Sequence, residues 1–406
     1  MSNIDREIDR AEVRDPVVRA WTCRLAAFAI RAAVEAAPDG PLKGWSLGVK
    51  DVIDTADLPT RRGSAIFADR ATTNDAACVA LARSAGATVV GKTATTEFAL
   101  IQPAPTTNPH NAAYTPGGSS SGSAAAVADR QVRAAFGTQT VGSVLRPAAY
   151  CGVVGFKPTH QLVPLTGVAT LAHSFDTVGW FTTDVADSES MLEAMTCRGP
   201  EPSGTRPVHE RPLRIGHYPS HQAGSAESGT IEILHTVAER LAASGVEVVH
   251  VDPLPHLASV FEDANIVLSF EIRRVFAWER EHHWEQISPL VQKMLQRADR
   301  VQHDDFVAAQ HRLTSARFEH GRFMDEGRFD ALLTPSAPGE APPIATTGDS
   351  VFNRTWTALW VPAIHLPTGT GPAGLPVGIQ LAGSRWADDE LLRVARQVET
   401  LMESSS

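Results

Sequence analysis

Apolar residues in the first hundred positions come in short unbroken runs, separated by polar stretches whose apolar members recur at helical spacing. Trp45 to Val49 and Ala87 to Val90 read as strands, since a short apolar run bounded by turn residues suits a strand buried on both faces. Between them, Val79, Leu81 and Ala82 belong to a helix that Asn74 or Asp75 would cap and Gly86 would end. Strand, helix and strand in this order predict a parallel crossover and an α/β layered fold.

The texture changes at Thr115. TPGGSSSGSAAAVA has almost no bulky side chain before Val127. A low-complexity stretch and a Gly/Ser linker are two readings. The good helix formers Ala124 to Val127 favour a third, a tight backbone turn feeding a helix. A second helix is predicted close to Ser143, after a glycine-bearing loop from Gly137 to Gly142, with Pro147 in its first turn where a missing N–H costs little. Arg198 to Arg211, rich in Pro, Gly and charge, reads as a surface linker over about 198–213. Helical patterns resume at Ile231–Leu241 and Phe270–Trp278, and strands at Ala331–Leu333, Ala363–Leu366 and Val377–Leu381. Because strands return at the end, one composite sheet in a single domain, 1–406, is expected, with a helical segment over about 1–40.

Composition narrows the partners. The chain has 406 residues and a formal net charge of −10, with its basic residues scattered. Neither a nucleic-acid surface nor docking on an anionic membrane fits that distribution. Cys23, Cys78, Cys151 and Cys197 form no CxxC pair, which removes zinc and thioredoxin-like readings and leaves buried free thiols. The charged N-terminus MSNIDREIDRAEVRD lacks an apolar core for a secretory signal, and no apolar run approaches the ~18 residues of a membrane helix. A soluble protein of the cytoplasm is the expectation.

Three short patterns compete for the chemistry. GATVVGKT, Gly86–Thr93, matches a phosphate-binding P-loop. Its first glycine closes a helix, however, and Thr88 to Val90 are themselves the strand, so Lys92 would stand just beyond a strand with no cradle around it. GSSSG, Gly118–Gly122, matches a nucleophile elbow centred on Ser120, with Asp349 and His365 downstream in the required order. With 15 histidines that order arises by chance, and neither an apolar strand nor an HGGG-like segment precedes the motif. Glu281, His282, His283 and Glu285 look metal-like but lack HExxH spacing, and read as the solvated face of a long helix. Phe175, Asn353 and Trp356 are candidates for an acyl pocket or for core.

The remaining segments fit one another. GVKDVID at Gly48–Asp54, PGGSSSGSAAAVA from Pro116 and GTQTVGSVLRPAAYCGVVGFKPT from Gly137 together resemble the amidase signature family. That family is marked by a lysine at a VKD-like strand end, then GGSSGGS, then GTDTGGSxR leading into CGVVGxKPT. The likeness extends to TADLPT, GKTATTEFA, FDTVGWFTTDVAD, LLTPSAPG and GLPVGIQLAG, from about Arg14 to Leu391.

A serine hydroxyl is a poor nucleophile until a base accepts its proton, and a lysine is a base only when burial or nearby positive charge keeps it neutral. From the residues alone Lys50 is either such a base or the partner of Asp51 or Asp54. The resemblance implies the first: Lys50 as base, Ser119 as bridging serine after a cis Gly118–Ser119 bond, and Ser143 as nucleophile. Left to itself, Ser119 could equally be a solvated turn serine. The backbone N–H groups of Thr140, Val141 and Gly142 lie where an oxyanion would be stabilised. The resemblance further implies an α/β/α domain around a large twisted mixed sheet, no metal and no organic cofactor, and a small-molecule amide substrate hydrolysed through an acyl-enzyme. It is compatible with a homodimer. It is also shared by the glutaminase-type subunit of tRNA-dependent amidotransferases, and a non-catalytic scaffold of the same fold is the alternative from another class.

The sequence departs from the common pattern at Gln139 for Asp, Val141 for Gly and Ser121 for Gly, and its arginine stands three residues after Ser143 rather than two. GTQT with Arg146 so placed resembles the branch containing malonamidase and carboxybiuret-type hydrolases. There Arg146, beside Gly118 in a substrate site, would clamp a carboxylate or urea-like group; the other reading is a structural arginine paired with a buried acid.

Overall fold

The computed structural model describes residues 2–68, 70–197 and 211–403. Eleven strands form one mixed sheet: β1 Trp21–Arg24, β2 Ser46–Lys50, β3 Thr88–Thr93, β4 Ala134–Gln139, β5 Val154–Lys157, β6 Thr177–Thr182, β7 Arg214–His217, β8 Glu247–His250, β9 Ala331–Pro335, β10 Ala363–Thr370 and β11 Pro376–Ala382. Their spatial order is β1-β3-β2-β4-β6-β5-β10-β11-β9-β7-β8. β2 pairs in parallel with both β3 and β4, with the helix Ala77–Ser84 crossing between β2 and β3 as the pattern predicts.

Alternation along the strands builds two cores, because successive side chains leave a strand on opposite faces. Ala134, Phe136, Val178 and Trp180 belong to one cluster with the helices Ala77–Ser84, Val185–Thr196, Ser228–Ala243 and Asp388–Glu403. Their neighbours Ala135 and Phe181 belong to another, with Ala124 to Val127 and Ala148. Helices between Val260 and Gly327 enclose a third cluster over the end of the sheet near Leu332 and Ala363. The result is an α/β/α layered fold, and the Ser/Gly run is no linker: Ser121–Ala128 is a helix whose residues Ser121 to Val127 are buried.

Several sequence expectations need correction. The helix after β2 starts at Ala77 without a side-chain cap, because Asp75 is engaged elsewhere, accepting from the Ala56 N–H and pairing with Arg83. Gly137 to Gln139 are strand rather than loop. The N-terminal segment is not purely helical, since β1 lies between its helices Asn3–Val18 and Ala27–Ala36. Of the thiols, Cys78 and Cys151 are buried as expected, Cys23 is half-buried and Cys197 exposed; all four are free. Glu281 to Glu285 span the end of a short helix, Ala277–His282, and a 3-10 turn rather than one long helix. No metal-binding group of side chains occurs among the described residues. Positions 198–210 of the expected linker lie outside the described residues. Among the described residues, no helix is long and apolar enough to cross a membrane.

Candidate active site

β2 carries Lys50 to the segment that leads into the helix Ser121–Ala128. The Lys50 Nζ lies 2.7 Å from Ser119 Oγ, 2.8 Å from Thr138 Oγ1 and 3.4 Å from the Thr138 carbonyl oxygen. Neither acid that could have claimed Lys50 does so. Asp51 faces Lys92 at 3.7 Å, and Asp54 binds Arg70 at 2.7 Å. Burial drives Lys50 well below the usual lysine range; the charge of Asp176 works against that shift and the charge of Arg146 adds to it.

Ser119 follows the cis peptide bond Gly118–Ser119, and its carbonyl accepts from the Thr96 N–H. Gly117, just upstream, has φ +82 and sits so close to Pro147 that a Cβ would come within 2.7 Å of its Cα. Only glycine meets both demands. Lys50 and Ser119 are fully buried, whereas Ser143 lines a cavity of about 610 Å3. Among these three residues only Ser143 lines the cavity.

Ser143 stands two residues before the helix Leu145–Cys151, at the end of β4's exit loop. Gln139 shapes that loop. Its Oε1 accepts from the N–H groups of Val144 and Leu145, and its Nε2 donates to Thr357 Oγ1, which in turn donates to the Val141 carbonyl. Helix N-termini leave N–H groups without partners, and a side-chain oxygen from the preceding strand meets two of them here. A neutral amide accepts as a carboxylate would and has a donor left for Thr357. The N–H groups of Val141, Gly142 and Ser143 meet no acceptor among the described residues. Val141 is not among the residues with positive φ, so a β-branched side chain fits this loop without strain.

Two residues that bear on the site carry no signal in a short motif. Thr138 holds Lys50 as described, and Asp176 holds Thr140. The Thr140 hydroxyl donates to Asp176 Oδ1 at 2.6 Å, while Leu171 and Ala172 N–H groups donate to Oδ2. Burial lifts Asp176 to about 6 against those hydrogen bonds. The FDTVG stretch points to a constrained segment, but nothing in it names Thr140 as the partner.

Arg146 is buried, and its guanidinium donates to the carbonyls of Gly118 at 2.5 Å and Gly348 at 3.1 Å. Its Nε is buried with no partner. Among the described residues no carboxylate lies within ion-pair distance of it; burial lowers its affinity for its proton, with the charges of Tyr150 and Asp349 opposing. The arginine lines the same cavity as Ser143.

The competing patterns go elsewhere. Ser120 is fully buried, bonded to the Thr138 carbonyl and N–H at 3.3 Å. His365 is buried against Ser336 at 2.7 Å, and Asp349 lies on the cavity wall away from it. Lys92 sits inside β3, not beyond it, and donates to Thr60 and the Ile53 carbonyl. Phe175 and Trp356 belong to the core around the Val260–Gly327 helices, and buried Asn353 donates to the Ser336 carbonyl and Gln380.

Comparison with known proteins shows the family. The Amidase family model matches residues 3–392. The A-subunit of the glutamyl-tRNA(Gln) amidotransferase of Chloroflexus aggregans is 32% identical over 438 aligned positions, covering 95% of this chain and 89% of that protein. A crystal structure of an amidase superposes with a TM-score of 0.86 at 28% identity, covering 98% of this chain and 95% of the other. The peptide amidase of Stenotrophomonas maltophilia superposes at 0.82 with 28% identity, covering 99% and 93%. A buried lysine on a serine hydroxyl, a second serine opening on a cavity, and a match that runs nearly the whole length lead to one assignment: the chain belongs to the amidase family, hydrolases of amide C–N bonds.

Proposed function

We propose that Ser143 is the nucleophile of this hydrolase, with Ser119 passing its proton to Lys50. Ser143 Oγ attacks the amide carbonyl carbon, its proton moves to Ser119 Oγ, and the Ser119 proton moves to Lys50 Nζ. The C–N bond then breaks, and the leaving nitrogen takes a proton back along the same path, departing as ammonia or an amine. Water repeats the sequence on the acyl-enzyme and frees the acid. Backbone N–H groups at Thr140, Val141 and Gly142 receive the oxyanion, each such donor contributing about 3 kcal/mol to the transition state. One observation carries this reading: Lys50 is a buried amine on a serine hydroxyl with no carboxylate partner among the described residues, the condition under which a lysine serves as a base.

The substrate is a small amide that carries a carboxylate or urea-like group, as in the malonamidase and carboxybiuret-hydrolase branch. Arg146 supports this, since a desolvated guanidinium that makes no ion pair among the described residues, with the exposed Asp349 as the carboxylate acting on it, is suited to an acid brought by the ligand. The four free thiols fit a reducing compartment, the cytoplasm. A second reading, a component working only within an amidotransferase, draws on the 32% identity to the Chloroflexus aggregans protein.

Purified chain alone, treated with a fluorophosphonate probe and mapped by mass, should carry the label on Ser143. Label on Ser120 would sink the assignment. Ammonia release from small amides with no added protein supports the free-standing enzyme; labelling without any such release supports the amidotransferase reading.

A further inference from the structure

The cavity beside Ser143 holds a second arginine. Arg354 opens the helix Arg354–Ala358, and that helix is seated on the loop that precedes Ser143. Thr357 donates to the Val141 carbonyl, and Gly142 approaches Asn353 so closely that a Cβ there would come within 2.6 Å of Asn353 Oδ1. Arg354 therefore enters the cavity wall next to the oxyanion loop, and it lines the same space as Ser143 and Arg146.

Its bonding is incomplete in the same way as that of Arg146. One Nη donates to Asn265 Oδ1, the guanidinium carbon lies 4.3 Å from the centre of the Phe261 ring, and Nε is buried without a partner. Burial lowers Arg354 to about 10, with Asp349 opposing the shift and Arg146 adding to it. Two guanidiniums, that of Arg146 buried and that of Arg354 half-buried, thus face one space and repel each other.

The cavity also has carboxylates, but their situation differs. Asp349 and Glu227 are exposed, where water screens their charge, and Glu340 already accepts from the N–H groups of Ala373 and Leu375. Buried charge is what a ligand can relieve, and here the buried charge is positive.

We infer that Arg354 is a second specificity-determining residue, which together with Arg146 grips the carboxylate of the substrate from two sides. The inference rests on the carboxylate-amide reading above. The substrate class becomes a short acidic amide, with its carboxylate held between two guanidiniums while its amide carbonyl meets Ser143. Asn265 and Phe261 fix the orientation of Arg354, so the guanidinium is held before the ligand arrives.

Binding and turnover together test this. In a Ser143→Ala background, malonate is titrated calorimetrically into the parent and into Arg146→Gln and Arg354→Gln. In the Ser143 enzyme, KM for malonamate is compared with KM for the neutral isostere 3-methylbutanamide. Loss of a charge-assisted contact predicts malonate binding weakened about 10- to 100-fold in each arginine variant, with a similar change in the ratio of the two KM values. Arg354→Lys keeps charge and stem and should recover part of that loss, which also covers the case where Arg354→Gln does not fold. Malonate binding that falls with Arg146→Gln but is unchanged in both Arg354 variants overturns the inference and leaves the carboxylate reading standing. Malonate binding that is absent, or indifferent to both arginines, overturns both. Equal losses for acidic and neutral amides make Arg354 a strut for the Phe261 helix and overturn the inference alone.

Discussion

Asp51 and Lys92 form a buried pair at 3.7 Å, and that pairing is what leaves Lys50 without an acid. The two lysines lie on adjacent parallel strands in almost matching register, Val49 facing Lys92 and Lys50 facing Thr93. One faces a carboxylate and also donates to Thr60 Oγ1 and the Ile53 carbonyl; the other, among the described residues, meets hydroxyls and a carbonyl. Burial pushes Lys92 down and Asp51 up, with each partner opposing the other's shift.

The two lysines should therefore fail differently. Asp51→Asn strands a buried ammonium and should cost about 3 kcal/mol of stability, while the double variant Asp51→Asn/Lys92→Met should recover part of that. Lys50→Met, which removes a desolvated amine, should leave stability much less affected and abolish labelling of Ser143. Thermal unfolding and probe labelling on the same samples read both. Labelling lost in the Lys92 double variant at full stability would mean the base had been assigned to the wrong strand.

Opposite charges tune Lys50 from two sides, so their removal should move the acid limb of kcat/KM in opposite directions. Asp176 raises the Lys50 pKa and Arg146 lowers it. Asp176→Asn should shift the limb to lower pH, and Arg146→Gln should shift it to higher pH, because the free amine is the active form. The reaction is followed on a neutral amide so that loss of a substrate carboxylate contact does not enter. Shifts of the same sign in both variants would mean the limb belongs to another group. Asp176→Asn should also lower the plateau rate about 10-fold, since an amide accepts on one side only and cannot hold both the Thr140 hydroxyl and the N–H groups of Leu171 and Ala172.

Gln139 offers a test of the loop. Replacing it by Ala leaves the N–H groups of Val144 and Leu145 without their acceptor, at a cost of about 1–3 kcal/mol for each group left unsatisfied in the buried loop, and removes the donor to Thr357, whose hydroxyl keeps only its bonds to carbonyls. The lost bonds all lie around the oxyanion donors, so kcat should fall further than KM rises. A change confined to stability, with kcat intact, would show that the helix start holds the loop without Gln139.

What could be read from the sequence was whatever is local. β2 and β3 stand out as apolar runs because both faces of the sheet are covered, and the helix after Ser119 follows from its alanines. Ser143 and Lys50 were placed by resemblance of motifs. Contacts between distant segments were hidden: Thr138 meets Lys50 across 88 positions and Thr140 meets Asp176 across 36, and no spacing rule connects them. β4 is not legible as a strand because AAFGTQ mixes small residues with glycine, and its second half reads as loop until β2 and β6 are seen on either side. Asp75 misled as a cap for a similar reason, since Arg83 and the Ala56 N–H compete for its carboxylate. Arg354 gave no sign at all, because only the seating of its helix on Val141 and Gly142 brings it to the cavity.

Buried neutral histidines should make the fold sensitive to acid. His320 is fully buried between His256, Phe323 and Trp356, and neither ring nitrogen has a hydrogen-bond partner among the described residues. Burial, assisted by His256, lowers it to about 3 from an ordinary value of 6.5. The unfolded chain takes up this proton first as the pH falls below 6.5, while the folded chain resists until about 3, so stability is lost through that window. One such group contributes a slope of about 1.4 kcal/mol per pH unit between those limits. His320→Phe keeps an aromatic ring in an aromatic cluster and deletes the titration. Its stability should therefore fall less steeply than that of the parent between about pH 6.5 and about 4, by roughly 1.4 kcal/mol per unit, and the two should run parallel above about pH 7.5. Denaturant unfolding at half-unit steps would measure this. Parallel curves at lower pH as well would mean that His320 is already charged in the folded protein, with a partner for its proton inside the cluster.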